Sequence, residues 1–135
     1  MQVQPYLYFD GRCDEAIAFY QETLGAKLNM LMRFKDNPDA NAQTPPALAD
    51  RVMHADLTIG ESTVLVSDGM NSGIANFDGV ALTLICDDVD DVTRRFNALT
   101  ANGAVTVPLT ETFFTKRFGM GKDKFGVHWI LLTHK

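Results

Sequence analysis

His54 and Asp56 are the residues whose types and spacing best support chemistry in this chain. Residues two apart in an extended segment point to the same side, so His54-x-Asp56 sets an imidazole beside a carboxylate. Such a pair can bind a divalent metal, or act as general base and orienting acid. A polar pair hydrogen-bonded within a sheet is the plainer alternative. His128 adjoins Trp129 and reads as filler near the last strand, while His134 lies close to the end of the chain, in solvent. The sequence has no HExxH, no paired Cys/His spacing and no acidic calcium loop. GxSxG, Walker and GxGxxG motifs are also missing. Gly119-Met120-Gly121 runs into Lys122-Asp123-Lys124-Phe125-Gly126, which reads as a turn and not a phosphate loop. Cys13 and Cys86 make neither a disulfide framework nor a CxxC motif, and both read as buried packing.

Aromatic residues give the stronger pocket signal. Tyr6 and Tyr8 share one face of the first strand, and Phe113, Phe114, Phe118, Phe125 and Trp129 crowd the last third. Part of that set belongs to the core. The rest, with Glu111, can wall a site for a flat or apolar ligand, since small-molecule sites are mostly apolar with a few fixed polar groups. The candidate ligand-binding set is Tyr6, Tyr8, His54, Asp56, Glu111, Phe113, Phe114 and Trp129. His54 and Asp56 are the catalytic candidates should there be a reaction.

The elements that must position these residues appear as one unit written twice. An apolar run at Gln4–Asp10 leads into a helical pattern over about Arg12–Leu24, with Cys13, Ala16, Ile17, Tyr20 and Leu24 on one stripe. Gly25 supplies a left-handed stop. A second run at Val80–Asp87 leads into another helix, with Asp88 as N-cap, a stripe of Val89, Val92, Phe96 and Leu99, and Gly103 as its end. Strands are expected at Lys27–Phe34, Arg51–Ile59 and Ser62–Ser67 in the first half. In the second they fall at Val105–Thr112, Phe113–Met120 and Val127–Thr133. Module one thus covers about 1–68, a linker about 69–78, and module two about 79–135. The polar, proline-bearing stretch Lys35–Asp50 reads as irregular chain able to serve as a flap. By strand alternation, Ala55, Leu57 and Ile59 face a helix, and His54, Asp56 and Thr58 face a cavity. Likewise Leu82, Leu84 and Cys86 face the second helix, with Ala81, Thr83 and Ile85 inward.

Composition narrows the class. A chain of 135 residues with 46% apolar and 21% charged residues suits one globular domain with its own core. A net charge of −5 and a pI near 5.0 argue against nucleic acid, which is met by a basic face. No apolar run approaches a membrane span, and the N-terminus lacks the regions of a signal peptide. The expectation is a soluble cytoplasmic protein.

The repeated βαβββ layout resembles the vicinal oxygen chelate superfamily of glyoxalases, extradiol dioxygenases and bleomycin- or fosfomycin-resistance proteins. Closer phrases are similar to its PhnB-like group. They are the opening from Tyr6 to Tyr20, Val52-Met53-His54-Ala55, Ser67-Asp68-Gly69, Glu111-Thr112-Phe113-Phe114 and Asp123 to Trp129, in order along nearly the whole chain. The resemblance implies an α+β fold: two βαβββ modules forming a curled, mostly antiparallel sheet around a cavity, helices on the outer face, in a homodimer. In metal-dependent relatives, four His, Glu or Gln side chains enter the cavity. Threading puts those positions at Gln4, Leu65 or Ser67, Ala81 and Ile130, so the expectation is no metal and no cofactor. Members of the group are often labelled demethylubiquinone methyltransferases, but no glycine-rich nucleotide loop is present here to hold S-adenosylmethionine.

Two functions follow from that resemblance. One is a binding protein that sequesters a small-molecule ligand in an aromatic-lined, metal-free cavity. The other is a lyase or isomerase using His54 as general base with Asp56 orienting it. A ferredoxin-like interaction module is a third, and the extra strand in each half counts against it.

Overall fold

A computed structural model describes residues 1–39, 45–69 and 75–134. The elements are β1 (Tyr6–Tyr8), α1 (Cys13–Leu24), β2 (Lys27–Arg33), β3 (Val52–Ile59) and β4 (Ser62–Ser67), then β5 (Leu82–Cys86), α2 (Val89–Thr100), β6 (Ala104–Thr110), β7 (Phe118–Lys122) and β8 (His128–Thr133). The chain divides into two compact units, Met1–Ala75 and Asn76–Lys135. Each is a βαβββ module with its own four-stranded sheet, ordered β1-β4-β3-β2 and β5-β8-β7-β6. In both sheets the first pair is parallel and the other two are antiparallel. The α+β class and the repeated module are therefore as the sequence indicates. The strands form two mixed sheets, one in each module and neither closed into a barrel, and every described ladder pairs strands within one module.

In the first unit, α1 buries the expected stripe, Cys13, Ala16, Ile17, Tyr20 and Leu24. That stripe packs on β2 and β3, where Ala55 and Leu57 are fully buried. Each large side chain so buried contributes roughly 1.5–3 kcal/mol. Gly25 adopts φ +65 and ends the helix in the left-handed conformation. The helix start is less usual, because Arg12 makes no side-chain cap. Asp68, at the end of β4, supplies the missing acceptor. Its Oδ1 accepts from the N–H groups of Gly11 (2.7 Å) and Cys13 (2.8 Å), and its Oδ2 from Val52 N–H (2.9 Å). One buried carboxylate thus ties the turn after β1, the first turn of α1 and the start of β3. Arg33 adds a forked bond to Asp14 (2.8 and 2.9 Å) that holds β2 to α1. That bonding lowers the pKa of Asp14. Its small surface contribution is therefore full above the unfolded pKa and is lost as pH falls through the lowered one.

The stretch Lys35–Asp50 is pinned at both described ends. Short 3-10 turns form at Phe34–Asp36 and Pro46–Leu48, Phe34 is buried, and Lys35 pairs with Asp50 at 2.9 Å. Its middle, residues 40–44, lies outside the described residues, as do residues 70–74 of the expected linker.

In the second unit, Asp88 caps α2 through Asp91 N–H at 2.7 Å. Gly103 does a different job from Gly25. It has no positive φ, and a Cβ there would stand 2.0 Å from the Lys122 carbonyl oxygen. The glycine is needed for close approach to β7, not for a left-handed stop. The expected strand Phe113–Met120 is also corrected, to Phe118–Lys122. Thr112 Oγ1 accepts from Phe114 and Thr115 N–H groups (3.3 and 3.2 Å), which curls the backbone out of the sheet. Gly119 and Gly121 belong to the strand, because α2 lies directly on it. A Cβ would meet Phe96 at 2.8 Å and Thr100 at 2.6 Å. No helix among the described residues is long and apolar enough to cross a membrane.

Asp68→Ala should lower unfolding free energy by about 3 kcal/mol or more, since three backbone donors lose a charged acceptor. Urea denaturation followed by circular dichroism measures it. A loss under about 1 kcal/mol would show that the carboxylate is dispensable.

Candidate functional site

The open face of the first sheet gathers four of the expected site residues. Register places Tyr6 beside Leu65, Asp56 and Met30 in one row across the sheet. The next row holds Tyr8 and Ser67 on one pair of strands and His54 and Met32 on the other. The side chains then interlock. Tyr6 and Tyr8 stack with ring centroids 5.0 Å apart, and the Tyr6 hydroxyl meets His54 Nδ1 at 2.7 Å. Tyr6 is 37% and Tyr8 55% exposed, so the stacked pair keeps a free surface.

Tyr8 owes its pose to the turn after β4. Gly69 adopts φ +68, and a Cβ there would approach Tyr8 Cδ1 to 3.1 Å, so glycine lets the ring lie down. Ser67 Oγ accepts from Gly69 N–H (2.9 Å) and donates to the Val52 carbonyl (3.2 Å). The phrase Ser67-Asp68-Gly69 thus fixes one turn, caps one helix and seats one aromatic ring. Burial, then the neighbouring Tyr8, raise the pKa of Tyr6, while hydrogen bonding toward Ser67 opposes the shift. The phenol is the form present at neutral pH.

The expected orientation of His54 by Asp56 is not what forms. His54 takes its partner from Tyr6, and Asp56 Oδ1 accepts from Asn29 Nδ2 at 3.2 Å. The same amide nitrogen reaches Thr58 Oγ1 at 2.7 Å. Asn29 can do this because the β2–β3 register shifts between Leu28 and Met30, leaving it as a bulge residue. Sequence reasoning missed Asn29, Met30 and Met32. A polar residue interrupting the apolar run Leu28–Met32 was the available signal.

The remaining candidates fall in the second unit and do not share one face. Glu111, Phe113 and Phe114 stand in the β6–β7 connection, where Phe113 is 94% exposed. Phe113, Phe114 and Phe118 form an edge-to-face series, with centroids 5.2 and 5.6 Å apart. Trp129 is corrected from wall to core. It is buried on the same side of β8 as Leu131, and its indole N–H donates to the buried Asp123 Oδ2 at 2.9 Å. Asp123 Oδ1 also accepts from Phe125 and Val127 N–H groups, so Trp129 is clamped to a structural turn. His128 Nε2 lies 3.3 Å from Asp78 Oδ1.

Of the positions threaded to the superfamily's metal ligands, Leu65, Ala81 and Ile130 carry only hydrocarbon side chains, Ser67 Oγ is bonded to the Val52 carbonyl and the Gly69 N–H, and Gln4 Nε2 donates to Gln2. No cluster of three His, Cys, Asp or Glu side chains suited to a metal occurs among the described residues.

The whole chain has known relatives. Residues 1–132 match the family model described as 3-demethylubiquinone-9 3-methyltransferase. Protein YjdN of Escherichia coli (strain K12) is 38% identical, over 97% of this chain and 94% of its own. The crystal structure of protein PA1353 from Pseudomonas aeruginosa superposes with TM-score 0.87 at 35% identity, covering 99% and 98% of the two chains. A PhnB protein from Bacillus cereus gives TM-score 0.81 at 24% identity, with 98% and 99% covered. The same fold is found in solved members of the glyoxalase/bleomycin resistance/dioxygenase superfamily.

Neither thiol is suited to nucleophilic chemistry. Burial, then Asp68, push the Cys13 thiol far up, and burial, then Asp91, push Cys86 up to about 11. At pH 8 that leaves roughly a thousandth of Cys86 as thiolate. Native protein at pH 8 should react with Ellman's reagent at well under one equivalent in the first minutes, rising to both cysteines in denaturant. Rapid modification of the native chain would contradict this.

Proposed function

The chain belongs to the PhnB-like family described as 3-demethylubiquinone-9 3-methyltransferase, and within it we propose a small-molecule binding protein whose ligand lies on the tyrosine–histidine face of the first sheet. The carrying observation is the half-exposed Tyr6–Tyr8 stack, with Tyr6 bonded to His54. Aromatic surface beside a few fixed polar groups is the usual make-up of such sites. Glu111, Phe113 and Phe114 are the second aromatic group, available to the same ligand or to another. The protein acts without a metal, as a homodimer, in the cytoplasm. Its superfamily fold serves both binding proteins and enzymes.

A lyase or isomerase using His54 as general base is the weaker reading. The nitrogen that would be oriented by a carboxylate is instead met by the Tyr6 hydroxyl, and Asp56 is engaged by Asn29. The family's methyltransferase description needs a site for the methyl donor, and no glycine-rich loop offers one.

A nuclear magnetic resonance screen of aromatic fragments should find ligands that shift Tyr6, Tyr8 and His54 resonances and are recovered unchanged. Tyr8→Ala should weaken those ligands by roughly two- to tenfold, the worth of one aromatic contact, with the melting temperature nearly kept. Turnover of a bound fragment would end the pure binding role.

A further inference from the structure

We infer that the bulge in β2 turns Met30 and Met32 onto the tyrosine–histidine face as its second apolar wall, and that the site so built takes flat aromatic rings of more than one shape. The inference rests on the reading that this face holds the ligand, and it names the ligand's class and two further residues that select it.

The strand register shows how the methionines are turned. Leu28 stands opposite Leu57 and Leu31 opposite Ala55, and both partners are fully buried on the side that α1 covers. Directly opposed residues share a face, so Leu28 and Leu31 face the helix although they are three apart. In a regular strand an odd spacing puts two side chains on opposite faces. Asn29 is the extra residue that reconciles them. Its amide is pinned to Asp56 (3.2 Å) and Thr58 (2.7 Å). Beyond the bulge, Met30 stands opposite Asp56 and Met32 opposite His54, on the open side. Without the extra residue both methionines would point under the helix and Leu31 outward.

The two walls adjoin. Tyr6 starts on β1 and its hydroxyl reaches His54 on β3, so the ring spans β4. The methionines stand on β2, the next strand across, about 4.8 Å further on. Tyr6 is 37% and Met30 43% exposed, so both keep surface for a ligand. The stacked tyrosines are a rigid, flat wall. Unbranched thioethers instead follow the outline of what lies against them, and sulfur is attracted to aromatic rings. One rigid wall and one pliant wall select for flatness and leave the ring's shape open.

Nuclear magnetic resonance of the full chain, labelled at the methionine methyls, tests this with 1-naphthol, 2-naphthol and decahydro-2-naphthol. The last keeps the hydroxyl on a saturated, puckered skeleton. Both naphthols should bind at least about fivefold more tightly than the saturated alcohol, and within about threefold of each other. Ring currents should move the Met30 and Met32 methyl signals. Met30→Leu combined with Met32→Leu keeps volume and removes sulfur. It should weaken the naphthols by roughly two- to tenfold, leave the saturated alcohol unchanged and nearly keep the melting temperature. Silent methionine methyls beside shifted Tyr6 and Tyr8 signals, undiminished naphthol affinity in the leucine variant, or equal binding of all three alcohols overturns the inference while the ligand face stands. Silence of the tyrosines and both methionines overturns the ligand face as well.

Discussion

The carboxylate of Asp68 is the constraint on which the first unit depends. It is 3% exposed and accepts three backbone N–H groups from segments far apart in sequence. A buried charge without partners is costly, so the fold must deliver all three donors together. Delivering them fixes where the β1–α1 turn lies against the start of β3. Those are the neighbours of Tyr8 and His54, so the structural bond and the candidate site share one framework. The adjacent residues extend it: Ser67 receives Gly69, and Gly69 makes room for the Tyr8 ring.

Much of this was legible in the sequence where local rules decide. The α1 stripe, the Asp88 cap and the faces of β3 follow from helix and strand periods, and β4 from its turn signals. What escaped required distant partners. Asp68 reads locally as a turn residue, and nothing in its surroundings says that it caps a helix more than fifty positions upstream. Gly25 and Gly103 look like the same stop signal, yet one supplies a backbone angle and the other an absence of side chain. The strand expected from Phe113 failed because a single threonine hydroxyl curls the backbone, an effect invisible to hydrophobic pattern.

The candidate site shows the same division. Alternation pairs Tyr6 with Tyr8 on β1 and His54 with Asp56 on β3, and only the strand register brings the two pairs to one face. The i, i+2 spacing on β3 suggests a His54–Asp56 pair. Neighbours along a strand stand about 6.8 Å apart, too far for a direct hydrogen bond. Cross-strand neighbours are closer, and they supply the partners seen: Tyr6 for His54, Asn29 for Asp56. Trp129 shows the reverse error, as an aromatic residue named for a pocket that the β8 alternation turns into the core.

The two modules share topology down to strand order, yet their open faces differ in kind. Where the first unit sets Tyr6, Leu65 and Asp56 across three strands, the second sets Thr83, Ile130 and Met120. Its next row runs Ile85, Leu132 and Phe118. Backbone ladders and helix packing constrain only the covered side of each sheet, so the open side is free to diverge after duplication. In these two rows it has diverged toward hydrocarbon in one copy, Thr83 apart, and toward hydrogen-bonding groups in the other, while the second sheet keeps its polar pair, Lys122 and His128, in the row beyond. A repeat of the fold therefore carries no repeat of the chemistry.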